Sequence, residues 1–139
     1  MWAAIGLVLV VAACSILPSG STPATEQAAR ERLVTDYLAA LESRDATAIA
    51  AMVSPRVNPS VDIATAIREY GGLRLHDVHV TWRGEIEWAY AVATVIGTGD
   101  DGAAHEIRVP MSWVDGVYYL ALGEANSSGG EASPESPLP

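Results

Sequence analysis

The sequence predicts an α+β domain in which N-terminal helices pack in the concave face of a curved, four-stranded antiparallel meander. Up to Tyr70, apolar residues recur with the 3.6-residue period of an amphipathic helix. From Leu73 onward, they alternate with the two-residue period of a strand. Helices that are followed along the chain by a run of strands are typical of the α+β class.

Three helices are predicted in the first part of the chain. A proline in the first helical position predicts a helix over residues 23–43. The apolar face of this helix is formed by Leu33, Val34, Tyr37, Leu38 and Leu41. Asp45 is expected to cap a second helix over residues 46–53. A third helix is expected over residues 58–70, and Gly71 is expected to end it in the left-handed conformation.

Four strands are predicted after the helices. A change of parity near residues 76–77 predicts a bulge in the first strand. Arg83-Gly84 is expected to turn the chain into a long second strand. Pro110 lacks an amide hydrogen, which predicts an edge or a local break in the third strand. Asp115-Gly116 predicts a tight hairpin into a last strand over residues 117–122. The sheet is expected to cover the first helix with Trp88, Tyr90, Ile107, Val109 and Trp113.

Three stretches of the sequence resemble the nuclear transport factor 2-like superfamily of α+β rolls. VTDYLAALESRDATAIAAMVSP resembles the opening pair of helices of this family, and GGLRLHDVHVTW resembles its first long, bent strand. MSWVDGVYYLAL resembles its closing hairpin. The resemblance covers residues 25–122. It implies a conical domain whose open end can hold a small apolar ligand.

A charge-free apolar run at the N-terminus ends at the only cysteine of the chain, Cys14. The run is shorter than the roughly 20 residues that span a membrane. Val11-Ala12-Ala13-Cys14 resembles the lipobox of bacterial lipoproteins, which implies a diacylglyceryl group on the Cys14 thiol and removal of the preceding peptide. The alternative is that residues 1–17 stay on the protein as an uncleaved anchor and Cys14 is a plain thiol.

The lipobox divides the chain into four segments. Residues 1–14 are a signal peptide, residues 15–24 a flexible Ser/Pro/Gly linker, residues 25–122 the domain and residues 123–139 a disordered acidic tail. We therefore expect a protein that is lipid-anchored to the cell membrane, with its domain on the extracytoplasmic side.

The chain contains no lysine, and all eight of its basic residues are arginine. This bias is typical of GC-rich genomes such as those of actinobacteria.

The net charge of −9 makes nucleic acid a poor partner. A single cysteine excludes an intramolecular disulfide and a cysteine-based metal site. His76 and His79 are three residues apart, so on a regular strand they face opposite sides and cannot chelate a metal unless the predicted bulge rotates one of them. We expect no cofactor.

The strand parity predicts a pocket that is lined by Tyr37, Trp88, Tyr90, His105 and Trp113. Glu106 and Arg108 fall on the opposite parity, so no carboxylate is expected in it. We therefore predict a non-catalytic module that binds a small apolar ligand or a protein of the cell envelope. The alternative is a small pocket enzyme of the isomerase or dehydratase type.

Overall fold

The computed structural model describes residues 23–85 and 89–123. Its helices are α1 (Pro23–Glu42), α2 (Ala46–Ala51) and α3 (Ser60–Tyr70), and its strands are β1 (Leu75–Glu85), β2 (Tyr90–Gly99), β3 (Ala104–Val114) and β4 (Val117–Leu120). The strands are antiparallel neighbours in chain order, so they form a meander. The predicted α+β class is confirmed. The predicted signal peptide, residues 15–22 of the predicted linker and residues 124–139 of the predicted tail lie outside the described residues.

The predicted cap of α2 is confirmed, because Oδ1 of Asp45 accepts a hydrogen bond from the amide of Ala48 at 2.9 Å. The helix ends two residues earlier than predicted. The carbonyl of Met52 accepts a hydrogen bond from the amide of Leu120 instead, and Val53 forms a bridge with the same residue. Pairing with the last strand therefore ends the helix here.

The end of α3 differs from the prediction by one residue. Gly71 has φ −61°, and the left-handed residue is Gly72, with φ 81°. The amide of Gly72 donates a hydrogen bond to the carbonyl of Leu41 at 3.0 Å. The turn after α3 is therefore tied to the C-terminal end of α1.

The predicted bulge in β1 is confirmed, because the register shifts between His76 and His79 and Asp77 has φ 52°. The predicted turn at Arg83-Gly84 is wrong. Gly84 pairs with Ala91, and β1 continues to Glu85. Gly84 has no positive φ, so its backbone follows the strand. Pairing with β2 therefore overrides the local preference of glycine for a turn. Residues 86–88, which the sequence pattern assigns to the second strand, lie outside the described residues.

The two faces of β2 are reversed relative to the prediction. Ala91, Ala93 and Val95 are fully buried and lie opposite the buried residues of β3, whereas Tyr90 is 37% exposed. The core consists of this face together with Val34, Tyr37, Leu41, Ile107, Val109, Met111 and other apolar residues of the helices and β4.

The hairpin at Asp115-Gly116 is confirmed, with φ 50° and 84°. Positive φ at both central residues is the type I′ geometry that matches the twist of the strands. Pro110 lies where the β4 ladder ends, and its carbonyl accepts a last hydrogen bond from Ala121 at 2.9 Å. In the described part of the chain, residues 104–109 of β3 have no strand on this side. The missing amide hydrogen of Pro110 is therefore tolerated at a local edge.

Candidate functional site

A cavity of about 630 Å³, called the α3 cavity below, is lined by residues of α1, α3, β2 and β3 and by Leu122. Helix α1 contributes Tyr37 to this lining. The volume falls within the range of about 300–1,000 Å³ that is usual for small-molecule sites. The cavity therefore has the size of a ligand pocket.

One wall of the cavity is a stripe along α3. Asp62, Thr65, Ala66 and Glu69 all line it. Their spacing of i, i+3, i+4 and i+7 places them on one face of the helix. The sequence pattern did not predict this wall, because it identifies the apolar face of α3 and this stripe includes polar residues.

A second part of the lining comes from the sheet face that does not carry the alanines of β2. Tyr90 and Val92 of β2 and Glu106, Arg108 and Pro110 of β3 share this parity. The prediction that Glu106 and Arg108 stay out of the pocket is wrong. It placed Tyr90 on the same face as the odd-numbered residues of β3, whereas Tyr90 pairs with Ser112 and shares a face with the even-numbered ones. Glu106 and Arg108 both line the α3 cavity.

Tyr37 is almost completely buried, with 3% of its surface exposed. Burial raises the pKa of its phenol to about 12, and the nearby Tyr70 and Glu69 add to the effect. The hydroxyl group therefore keeps its proton at neutral pH. It can donate a hydrogen bond to a molecule that occupies the cavity.

The cavity carries an excess of negative charge, because three carboxylates and one guanidinium line it. Oδ2 of Asp62 already accepts a hydrogen bond from the amide of Gly123 at 2.6 Å. The described structure places neither Glu69 nor Glu106 in an ion pair. These two carboxylates are therefore available to a cationic group.

The structure brings together two of the residues that were expected to line the pocket, Tyr37 and Tyr90. Trp113 lines a separate cavity of about 310 Å³ between α1 and the β3–β4 hairpin. The ring of His105 lies beside the β2–β3 turn, with Nε2 3.0 Å from Oδ2 of Asp101. Trp88 and Cys14 lie outside the described residues.

Within residues 23–85 and 89–123, no three His, Cys, Asp or Glu side chains are grouped so that they could hold a metal ion. Nε2 of His76 lies 2.5 Å from Oδ1 of Asp100.

None of the helices in this part of the chain is long and apolar enough to cross a membrane.

No protein-family model matches the chain, and no curated protein matches it at a significant level. A crystal structure from Campylobacter jejuni, described as that of a "Putative NTF2-like transpeptidase", is similar to it with a TM-score of 0.52. The two sequences are 13% identical, and the match covers 66% of this chain and 95% of that chain. At this identity the likeness shows the fold alone, and that fold is nuclear transport factor 2-like.

The comparison contradicts the prediction of a non-catalytic module. The similar protein bears the name of an enzyme, a transpeptidase. The prediction had rested on the absence of a carboxylate from the pocket. That premise is also wrong, since Glu69 and Glu106 line the α3 cavity.

Proposed function

We propose that the domain binds a small organic ligand with at least one positively charged group in the α3 cavity. The observation that carries the proposal is the surplus of carboxylates around a cavity of ligand size. Hydrogen bonds between ammonium groups and carboxylates are charge-assisted and are roughly twice as strong as neutral ones. Glu69 of α3 and Glu106 of β3 are the residues we assign to this role.

The remaining lining gives the site its shape and its second polar group. Ala66, Val92, Pro110 and Leu122 offer apolar contact to the carbon skeleton of a ligand. The Tyr37 hydroxyl remains protonated, so it acts as a hydrogen-bond donor to an acceptor atom on the ligand. A short amine with a hydroxyl or carbonyl group uses all of these contacts.

The charge of the ligand can be tested with three molecules of equal length. The full-length protein in phosphatidylcholine nanodiscs would be melted with 1,5-diaminopentane, 1,5-pentanediol or glutarate at equal ionic strength. We expect the diamine to raise the melting temperature, with the diol less effective and the dicarboxylate without effect. If the diol or glutarate stabilised the protein as much as the diamine, the proposed recognition of a cation would be refuted.

We further propose that Cys14 carries the lipid that holds this domain at the extracytoplasmic face of the membrane. The support is the sequence Val11-Ala12-Ala13-Cys14 at the end of an apolar run. Two acyl chains anchor a protein stably, because each buried CH₂ contributes about 0.8 kcal/mol.

The anchor can be tested by growing cells with an alkyne-bearing palmitate and comparing the wild type with Cys14→Ser. We expect the label on the wild type and none on the variant. Label that persists in Cys14→Ser would refute this attachment site, and an unlabelled wild type of full length would favour the uncleaved anchor.

A proton-transfer enzyme that uses the same cavity is the second candidate. It is favoured by the enzyme name of the similar structure and by the presence of a phenol and a carboxylate near each other, at Tyr37 and Glu69. A carboxylate can act as a general base while a phenol holds the developing oxyanion. No residue that lines the described cavity is a serine, cysteine or histidine, so its lining favours proton transfer over acyl transfer to a serine or cysteine.

The second candidate makes a separate prediction about Tyr37→Phe. If the cavity catalyses proton transfer, this variant should bind an identified ligand within about threefold of the wild type but lose at least tenfold in turnover. Equal turnover in the wild type and Tyr37→Phe would exclude the phenol from catalysis.

A further inference from the structure

Among the strands of residues 23–85 and 89–123, β1 has a neighbour on one side only. β1 contains eleven residues and lies at one end of the sheet order, where it pairs with β2 alone. In the described part of the chain, no other strand adjoins it. An edge of this kind presents unpaired backbone N–H and C=O groups, which are a template for another strand.

A groove between α1 and β1 runs beside this edge. Its wider part, of about 350 Å³, is lined by Glu31, Val34, Thr35 and Leu38 of α1 and by Val78, Val80 and Trp82 of β1. A second part, of about 240 Å³, shares Thr35, Leu38 and Val78 with the first and continues toward Glu42. The two parts therefore form one groove, which we call the α1–β1 groove.

The floor of the groove is apolar and incompletely covered. Val80 lies opposite the fully buried Val95, on the core side of the sheet, but 37% of its surface is exposed. Val78 also lines the groove and is 42% exposed. Apolar side chains that are exposed on the core side of an edge strand indicate that the sheet can accept another layer of side chains there.

A strand that was added to β1 would match both features. It would lie about 4.7–4.9 Å from β1, and every second side chain would point into the α1–β1 groove. In this mode of peptide recognition, backbone hydrogen bonds supply affinity and the pockets for alternate side chains supply specificity. The lining by Val34, Leu38 and Val80 fits aliphatic side chains at these positions.

The charge at one end of the groove indicates what flanks those aliphatic residues. Glu31 lines this end, and its carboxylate accepts a hydrogen bond from the neutral amide of Gln27 at 2.8 Å. At the other end, Glu42 is already paired with the guanidinium of Arg74 at 2.8 Å. A cationic side chain would therefore be recognised at the Glu31 end.

We propose that the β1 edge and the α1–β1 groove bind an extended peptide segment of a partner protein. This segment has aliphatic side chains at every second position and a lysine or arginine where it meets Glu31. The peptide site is separate from the α3 cavity, and it does not depend on the function that is proposed for that cavity.

The probe is the synthetic peptide acetyl-KTVTVTVTK-amide, titrated into the full-length protein in phosphatidylcholine nanodiscs by calorimetry. A lysine at each end allows either strand direction. Two further peptides are N-methylated, one at the valine amides and the other at the threonine amides. Only one set of amides faces β1, so we expect one methylated peptide to lose at least tenfold in affinity and the other to change less than threefold.

Matched protein variants separate the groove from the opposite face of the sheet. Val80→Lys should weaken peptide binding at least tenfold, whereas Ile96→Lys, at a similarly exposed apolar position on the other face, should leave it within twofold. Glu31→Gln should weaken the lysine peptide severalfold but not a peptide with glutamine in place of both lysines.

Three results would overturn the proposal. The first is no binding at millimolar peptide, and the second is an equal effect of Val80→Lys and Ile96→Lys. The third is a wild-type dimer in sedimentation that Val80→Lys dissociates, because a second copy of the chain would then occupy the edge.

Discussion

Nη1 of Arg30 donates a hydrogen bond to the hydroxyl group of Tyr118 at 3.1 Å, which joins α1 to β4 across 88 positions of the chain. The guanidinium also lies 5.4 Å from the centre of the Tyr118 ring and 5.8 Å from the centre of the Trp82 ring. Arg30 is only 6% exposed. This buried cation therefore contacts the two outermost strands of the sheet, β1 and β4, from one position on the helix.

Tyr118→Phe is expected to lower the free energy of unfolding by about 1–3 kcal/mol, since it removes the hydroxyl group that accepts a hydrogen bond from the buried Arg30 guanidinium. The edge-on contact of the ring with Trp113, at 4.5 Å between centres, is kept in this variant. Urea unfolding measures the difference. Tyr119→Phe, at the neighbouring position on the other face of β4, should change stability by less than about 0.5 kcal/mol. Equal losses in the two variants would contradict a specific role for the Tyr118 hydroxyl.

The raised pKa of Tyr37 predicts a loss of stability at alkaline pH. In the unfolded chain the phenol ionises near 10.0, whereas in the folded chain it keeps its proton up to about 12. The stabilising contribution is therefore complete below pH 10 and is lost as the pH rises from about 10 to about 12. Stability curves of the wild type and Tyr37→Phe over this interval measure it, and the variant should show the smaller decline. Parallel curves would show that Tyr37 is not the group responsible.

Asp101 is expected to contribute stability that is lost in acid. A hydrogen bond from the Ala103 amide, and a further one with His105, lower the pKa of this carboxyl below 3.8. The contribution is present above pH 3.8 and disappears as the pH falls through the lower value of the folded protein. The melting temperature of Asp101→Asn should therefore approach that of the wild type as the pH falls from 6 to below 3. A difference that stayed constant with pH would count against this assignment.

Two glycine substitutions should differ in cost for different reasons. Gly116 has φ 84°, and a Cβ atom at this position would meet only open space, so Gly116→Ala should cost only the backbone strain of about 1–2 kcal/mol. A Cβ atom at Gly71 would overlap the carbonyl oxygen of Ile67, which is backbone and cannot move freely. Gly71→Ala should therefore be the more destabilising change in urea unfolding, although φ of Gly71 is ordinary. The reverse order would contradict the close approach at the end of α3.

Features that depend on neighbouring residues could be predicted from the sequence. The hairpin at Asp115-Gly116, the cap at Asp45 and the bulge near Asp77 each follow from local backbone chemistry, and the structure confirms all three. The faces of β2 could not be predicted in this way, because both are apolar. The alanine face is the one buried in the core that the sheet shares with the helices, and this choice depends on residues far apart in the sequence.

The candidate site was predicted only in part for the same reason. Tyr37 was identified because it belongs to a clear helical stripe. Glu106 and Arg108 were excluded because Tyr90 had been placed on the face of the odd-numbered residues of β3, whereas it shares a face with the even-numbered ones. Glu69 was missed because the helical period of α3 identifies its apolar face, whereas the cavity is lined by a stripe that includes polar residues.

The most direct test of the cation-binding cavity is a calorimetric titration of 1,5-diaminopentane into the double variant Glu69→Gln/Glu106→Gln. The control is Glu26→Gln/Asp36→Asn, which removes the same number of charges from α1 at residues that line neither the α3 cavity nor the α1–β1 groove. We predict that the cavity variant raises the dissociation constant at least tenfold over the wild type and that the control stays within twofold. An equal rise in both variants would show that the diamine responds only to the net charge of the protein, and it would contradict a binding site in the α3 cavity.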